Sequence, residues 1–138
     1  MPSPISNLQS LLSTLAPVRH PGVFVYAVVP SLQRLGAIVP VAMMTEPEGL
    51  SVILPEADAA ALGLEPHFRC AWITLTVHSD LAAHGLTAAF STALAEARIS
   101  CNVIAGVYHD HLLVPDAQAD EAMAVLLALQ ARATAELV

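Results

Sequence analysis

An α+β fold, an antiparallel sheet with helices packed on one face, is predicted by three observations. The hydrophobic period changes twice between Ala71 and Val114, each time where turn residues sit. A looser succession of extended and helical stretches fills the first half of the chain. A long alanine-rich helix follows the last extended run, from Asp116 to Leu137.

The elements follow in order. Ser3 and Pro4 suit an N-cap and a first helical position, and Ile5, Leu8, Leu11, Leu12 and Leu15 trace an apolar stripe that stops before Pro17. Gly22 to Val29 is a β-branched and aromatic run that predicts a strand. Ala37 to Met44 is a second extended stretch, and Pro40 marks it as an edge or bulged strand. After the turn Thr45–Gly49, Leu50 to Leu54 is a third. Pro55 to Asp58 starts a helix of about two turns with acidic first-turn residues, and Gly63 stops it.

His67 to Ala71 is extended and runs into the best-defined strand. Ile73, Leu75 and Val77 point one way while Thr74, Thr76 and His78 point the other, so one face is buried. Beyond Ser79–Gly85 the spacing becomes helical, with Leu86, Ala89, Phe90, Ala93, Leu94 and Ala97 on one stripe. Ser100 to Val107 is extended again, and the polar Tyr108-His109-Asp110-His111 segment predicts a hairpin turn into the short strand Leu112–Val114. This second half lacks a strand after its final helix, so a strand from the first half is predicted to fill the vacant edge. Glu65-Pro66 is too short to separate independent domains, which predicts two small units, 1–66 and 67–138, that share strands.

Composition narrows the function. A chain of 138 residues fits one compact domain or two very small units with a common core. Its apolar fraction is 56%, but no run approaches the roughly 20 residues needed to span a bilayer, so no membrane partner is expected. The first residues lack a charged region followed by an apolar one, which predicts a cytoplasmic protein. Net charge is −7 and the five arginines are scattered, which argues against nucleic acid. There is no lysine, which excludes an internal Schiff base and a P-loop lysine. Cys70 and Cys101 form no CxxC and read as free thiols. No cofactor is implied.

At Trp72–Leu75, Ser79, Leu81, Gly85–Ser91, Ile99–Val103 and His109–His111 the chain resembles the ACT-domain family, and more closely a small stand-alone bacterial subgroup with two ACT-like units in one chain. The specific match covers about residues 50 to 130. The resemblance implies a ferredoxin-like βαββαβ sandwich, sheet-mediated pairing into a homodimer, and binding of an amino acid or analogue in metabolic regulation. It also implies a ligand site where the loop after a unit's first strand meets the second strand of a neighbouring unit: His78, Ser79, Asp80, Gly85, Leu86, Asn102 and Val103. The chemistry suits that place, because free N–H groups at a helix start hold a carboxylate and a glycine lets a ligand approach the backbone. Asp80 could meet an α-ammonium, and Asn102 could donate or accept. The Asp-x-Pro-Gly turn of many ACT domains is replaced by Ser79-Asp80-Leu81. Residues 1–66 have no counterpart of this turn and form the more degenerate unit.

Three other readings stay open. His109 and His111, with a third ligand from His78, His84 or Cys101, would make a metal site, although no HExxH or paired-cysteine spacing supports it. Cys101 or Ser79 with a histidine would be needed for catalysis, and neither sits in a nucleophile elbow, so the chain is not expected to be an enzyme. A ligand-free dimerisation module would use the alanine-rich helices Leu86–Ala97 and Ala122–Ala133.

Overall fold

The structure, a computed structural model, describes residues 7–78, 82 and 84–136. Its elements are α1 (Leu8–Ser13), β1 (Pro17–Arg19), β2 (Phe24–Val29), a 3-10 turn (Leu32–Leu35), β3 (Ala42–Glu46), β4 (Gly49–Pro55), α2 (Glu56–Ala61), β5 (Phe68–Leu75), α3 (Leu86–Glu96), β6 (Asn102–Ala105), β7 (Asp110–Pro115), a 3-10 turn (Asp116–Gln118) and α4 (Ala119–Glu136). They pack as two compact units: residues 21–70, and residues 1–20 together with 71–138. The contiguous division at 66/67 read from the sequence therefore differs from the packing, because the first twenty residues join the last sixty-eight.

The reason is β1. In the discontinuous unit the strand order is β1-β5-β7-β6. β1 lies antiparallel to β5, with Pro17 opposite Leu75 and Arg19 opposite Ile73, so the N-terminal segment supplies the edge strand that the second half lacks. The expectation from unpaired-edge logic is met by a three-residue strand that the sequence patterning did not reveal. Ala16, at φ 45°, turns the chain from α1 into it. This left-handed residue is held at both backbone groups: its N–H donates to Gln130 Oε1 at 3.0 Å, and its carbonyl accepts from the Thr76 hydroxyl at 2.8 Å. The core joins Ile73 and Leu75 of β5, Leu112 and Val114 of β7, Phe90 and Leu94 of α3 and Leu126 of α4, with Leu11 and Leu15 closing it from the N-terminal side. The faces follow from the period-two and helical patterns read above.

In the unit 21–70 the strand order is β3-β4-β2-β5, with β2 opposite residues 68–70 of β5. Its core is Val25, Ala27 and Val29 of β2 against Val52 and Leu54 of β4, covered by Leu35 and Ala59. β3 and β4 form a hairpin with a two-residue turn, Pro47-Glu48, so β3 runs two residues further than the predicted Ala37–Met44. Each unit thus arranges four strands, the first and third at the centre, in a ferredoxin-like order. They differ at the first crossover, which is an eleven-residue helix, α3, in one and a four-residue 3-10 turn in the other.

Two local expectations change. The N-cap of α1 is Asn7, whose Oδ1 accepts from the Ser10 N–H at 3.0 Å. Ser3 and Pro4, proposed to start that helix, lie outside the described residues. The turn before β7 is Gly106 to His109, closed by the Gly106 N–H donating to the His109 carbonyl at 2.8 Å. Asp110 and His111 therefore belong to the strand, not to the turn predicted over 108–111.

Candidate functional site

The first turn of α3 opens on Gly85, at φ 89° and ψ −13°, a left-handed conformation that favours glycine. Among the described residues no side chain caps this end. The first intrahelical bond runs from the Ala89 N–H to the Gly85 carbonyl, which leaves the N–H groups of Leu86, Thr87 and Ala88 without intrahelical acceptors. The helix dipole adds partial positive charge there. The approach is narrow: a Cβ on Gly85 would come within 3.2 Å of Leu8 Cδ2.

The seven residues predicted for the ligand site divide by environment. Ser79 and Asp80 lie outside the described residues. Leu86 is buried in the core, and Val103 packs against that core from β6. Asn102, the first residue of β6, is exposed and pairs across the hairpin with Leu113. His78 is half-buried, with its ring 5.5 Å from that of Tyr108 and 6.5 Å from that of His109.

A second constellation escaped sequence reasoning. On β5 and β7, and just beyond β1, His20, Trp72, Thr74 and His111 form one hydrogen-bonded cluster. The His20 and Trp72 rings stack with centroids 3.5 Å apart and planes 13° from parallel. His20 Nε2 lies 2.7 Å from the Thr74 hydroxyl, which lies 2.9 Å from His111 Nδ1. Trp72 Nε1–H donates to that same Nδ1 at 3.1 Å. An indole N–H only donates, so His111 Nδ1 must carry a bare lone pair and its proton sits on Nε2. The threonine hydroxyl then donates to His111 and accepts from His20 Nε2–H, the arrangement that satisfies all three contacts. These bonds explain how Thr74 tolerates 6% exposure. The period-two pattern had placed Thr74 on the face opposite the core, and only the pairing of strands far apart in sequence shows its partners.

The rival chemistries can be placed as well. His109 Nδ1 lies 3.2 Å from the Val77 carbonyl, whereas His111 faces Thr74 and Trp72. Among the described residues no three His, Cys, Asp or Glu side chains converge as a metal site would require. Burial pushes the Cys101 thiol up to about 11, away from the thiolate a nucleophile needs. No helix among the described residues is long and apolar enough to cross a membrane.

The unit 21–70 carries a cleft of about 480 Å³ beside its shortened crossover. Pro30 and Leu32 line it from the segment after β2, Met43, Thr45 and Glu46 from β3, and Leu50 from β4. Glu46 accepts a hydrogen bond from the Ser51 hydroxyl. The cleft lies just after the end of the unit's first strand, β2, as Gly85 follows the end of β5 in the other unit.

Two ferredoxin-like units, one with a glycine turn at the start of its crossover helix, place the chain with small regulatory ligand-binding proteins. Comparison agrees: ACT-domain profiles match residues 3–71 and 68–128. The chain belongs to the ACT-domain family, which gives it a regulatory, small-ligand-binding role in general terms and points to no catalytic family. Among solved structures, a Vibrio cholerae protein of unknown function, described as a possible transport protein, is 43% identical, with 89% of this chain and 95% of that chain covered and a TM-score of 0.81. The fold also matches aspartate kinase from Clostridium acetobutylicum at 11% identity and a TM-score of 0.67, where the chain covers 34% of the enzyme's length. The regulatory subunit of aspartate kinase from Thermus thermophilus, in a ligand-free form, matches at 10% identity and a TM-score of 0.61 over 84% of this chain and 97% of that one. No curated protein matches the sequence significantly.

Proposed function

We propose that this protein is a cytoplasmic sensor of an amino acid or close analogue, and that ligand binding stabilises a homodimer. The observation that carries the reading is the start of α3 beside left-handed Gly85, where no side chain among the described residues caps the helix. The N–H groups of its first turn suit a carboxylate, Asn102 of a neighbouring unit is proposed to supply a two-way hydrogen-bonding side chain, and Asp80 is the group proposed to meet an α-ammonium. A ligand that favours the assembled state shifts the population toward it by the ratio of its affinities for the two states.

Thermal-shift screening of the twenty amino acids tests this, because a ligand that binds the native state alone must stabilise it, by roughly 2.7 kcal/mol at a hundred times its dissociation constant. A rise in Tm with at least one amino acid is expected, together with a concentration-dependent gain of dimer in sedimentation. No rise with any of them would end the amino-acid reading. Gly85→Val should abolish the rise, and Gly85→Ala, with less bulk, should weaken it while the fold survives.

The cleft of the other unit favours a second reading, in which residues 21–70 also bind. Its apolar walls and the Glu46 carboxylate suit an amine on an apolar body. Glu46→Gln should then remove one of two binding events in calorimetry and leave the Gly85-dependent one unchanged.

A further inference from the structure

We infer that the His20–Thr74–His111–Trp72 cluster is a pH-sensitive latch that fastens the edge strand β1 to the centre of its sheet and releases it on acidification. The latch sits at the C-terminal end of β1: the His20 N–H donates to the Trp72 carbonyl at 2.9 Å, directly after the paired residues 17–19. His20 then crosses β5 with its ring, stacked on Trp72 and bonded to Thr74, and Thr74 and Trp72 both converge on His111 of β7. Three elements that are remote in sequence are thereby joined, β5 to β7 at one imidazole nitrogen and the residue after β1 through Thr74 and Trp72.

That nitrogen accepts from two donors at once, and this makes the latch sensitive to a single proton. A proton on His111 Nδ1 would face Trp72 Nε1–H, donor against donor, at 3.1 Å. Thr74 can adapt, because its hydroxyl can turn to accept from His111 and donate to His20 Nε2 once the His20 proton resides on Nδ1. Trp72 cannot adapt, since an indole N–H has no acceptor state. Its ring must turn to find another partner, and the His20 stack depends on the position of that ring.

The surroundings of His111, burial first, favour its neutral form. Burial holds its pKa below the ordinary histidine value, and the nearby His109 and His20 add to the effect, while Asp110 opposes it. Burial likewise lowers His20. From β5 the facing side chains are Trp72 and Thr74, which carry no charge, and the neighbouring β6 residues Asn102 to Ala105 are not titratable. Arg19, the last residue of β1, is engaged by Asp120 at 2.7 Å. Because the folded pKa lies below the unfolded one, the latch contributes fully above the unfolded value of about 6.5 and is lost as pH falls through the folded value. Each unit of separation corresponds to about a tenfold change in the latch equilibrium.

Trp72 is the sole tryptophan, so the latch reports on itself. In the full chain, Trp72 fluorescence should show a reversible transition with its midpoint below pH 6.5. Over the same range the His20 amide, corrected for intrinsic exchange, should lose hydrogen-exchange protection. His111→Asn places an uncharged acceptor near the Nδ1 position, and it should abolish both changes while leaving the far-ultraviolet circular dichroism unchanged. A wild-type protein without the transition, or an H111N protein that keeps it, overturns the latch. If H111N fails to fold, His20→Phe, which keeps a ring to stack but removes the bond to Thr74, takes its place. It should uncouple His20 amide protection from pH, and retained coupling would overturn the proposal equally.

Discussion

Thr74 shows how much a single side chain can hold. Its hydroxyl is buried between two imidazoles, and Thr74→Val keeps the shape while leaving both rings without that partner. The loss of stability should be about 1–3 kcal/mol by urea denaturation at pH 7.5, within the range for buried polar groups left unsatisfied. Cys101 offers a second test at this scale. With its thiol pushed up to about 11, its alkylation at pH 8 should run on the order of a hundredfold slower than that of free cysteine. Ordinary rates would remove the objection to a reactive thiol. The sequence made the type of some residues legible but not their company. Gly85 could be read as a turn glycine of positive φ because little else is stable there. His111 could not be read as the centre of a cluster, because its partners Trp72 and Thr74 lie more than thirty positions away and nothing local distinguishes it from a polar hairpin residue.

Among the elements, α3, β5 and α4 were legible because each repeats its period over many residues. The short ones were not. β1 spans three residues and has no period to display, and the 3-10 turn Leu32–Leu35 has room for one buried leucine, Leu35. What the sequence did show was the vacancy, a four-strand pattern lacking its last member, and β1 fills it. The same logic makes α1 structural. Leu11 and Leu15 are fully buried, and α1 is tied to α4 by Gln9 Nε2 donating to the Ala133 carbonyl and Gln130 Nε2 donating to the Ser13 carbonyl. Leu15→Ala should cost about 2–5 kcal/mol, the range for a buried leucine truncated to alanine, measured by chemical denaturation. A cost below 1 kcal/mol would show that the N-terminal segment contributes little to the core.

At the scale of the whole molecule, β5 passes from one compact unit to the other, pairing with β2 through residues 68–70 and with β1 through residues 73–75. Disruption of either half of this strand should be felt along the strand, so calorimetry is expected to record one cooperative transition. Two separated transitions would show that each unit melts alone.

The placement of β1 has a consequence for connectivity itself. Residues 21–70 behave as an insertion between the edge strand and the remainder of its own unit, whose strands would follow a contiguous βαββαβ order if the first twenty residues came after the last. A circular permutant that starts at residue 21, with a flexible linker joining the original ends, would write each four-strand unit without interruption. Native pairings such as Pro17 with Leu75 now require a loop of nearly sixty residues to close before β1 can dock, and loops of that length slow folding. In ribosomal synthesis, too, β1 waits for a partner that emerges only after the whole inserted unit.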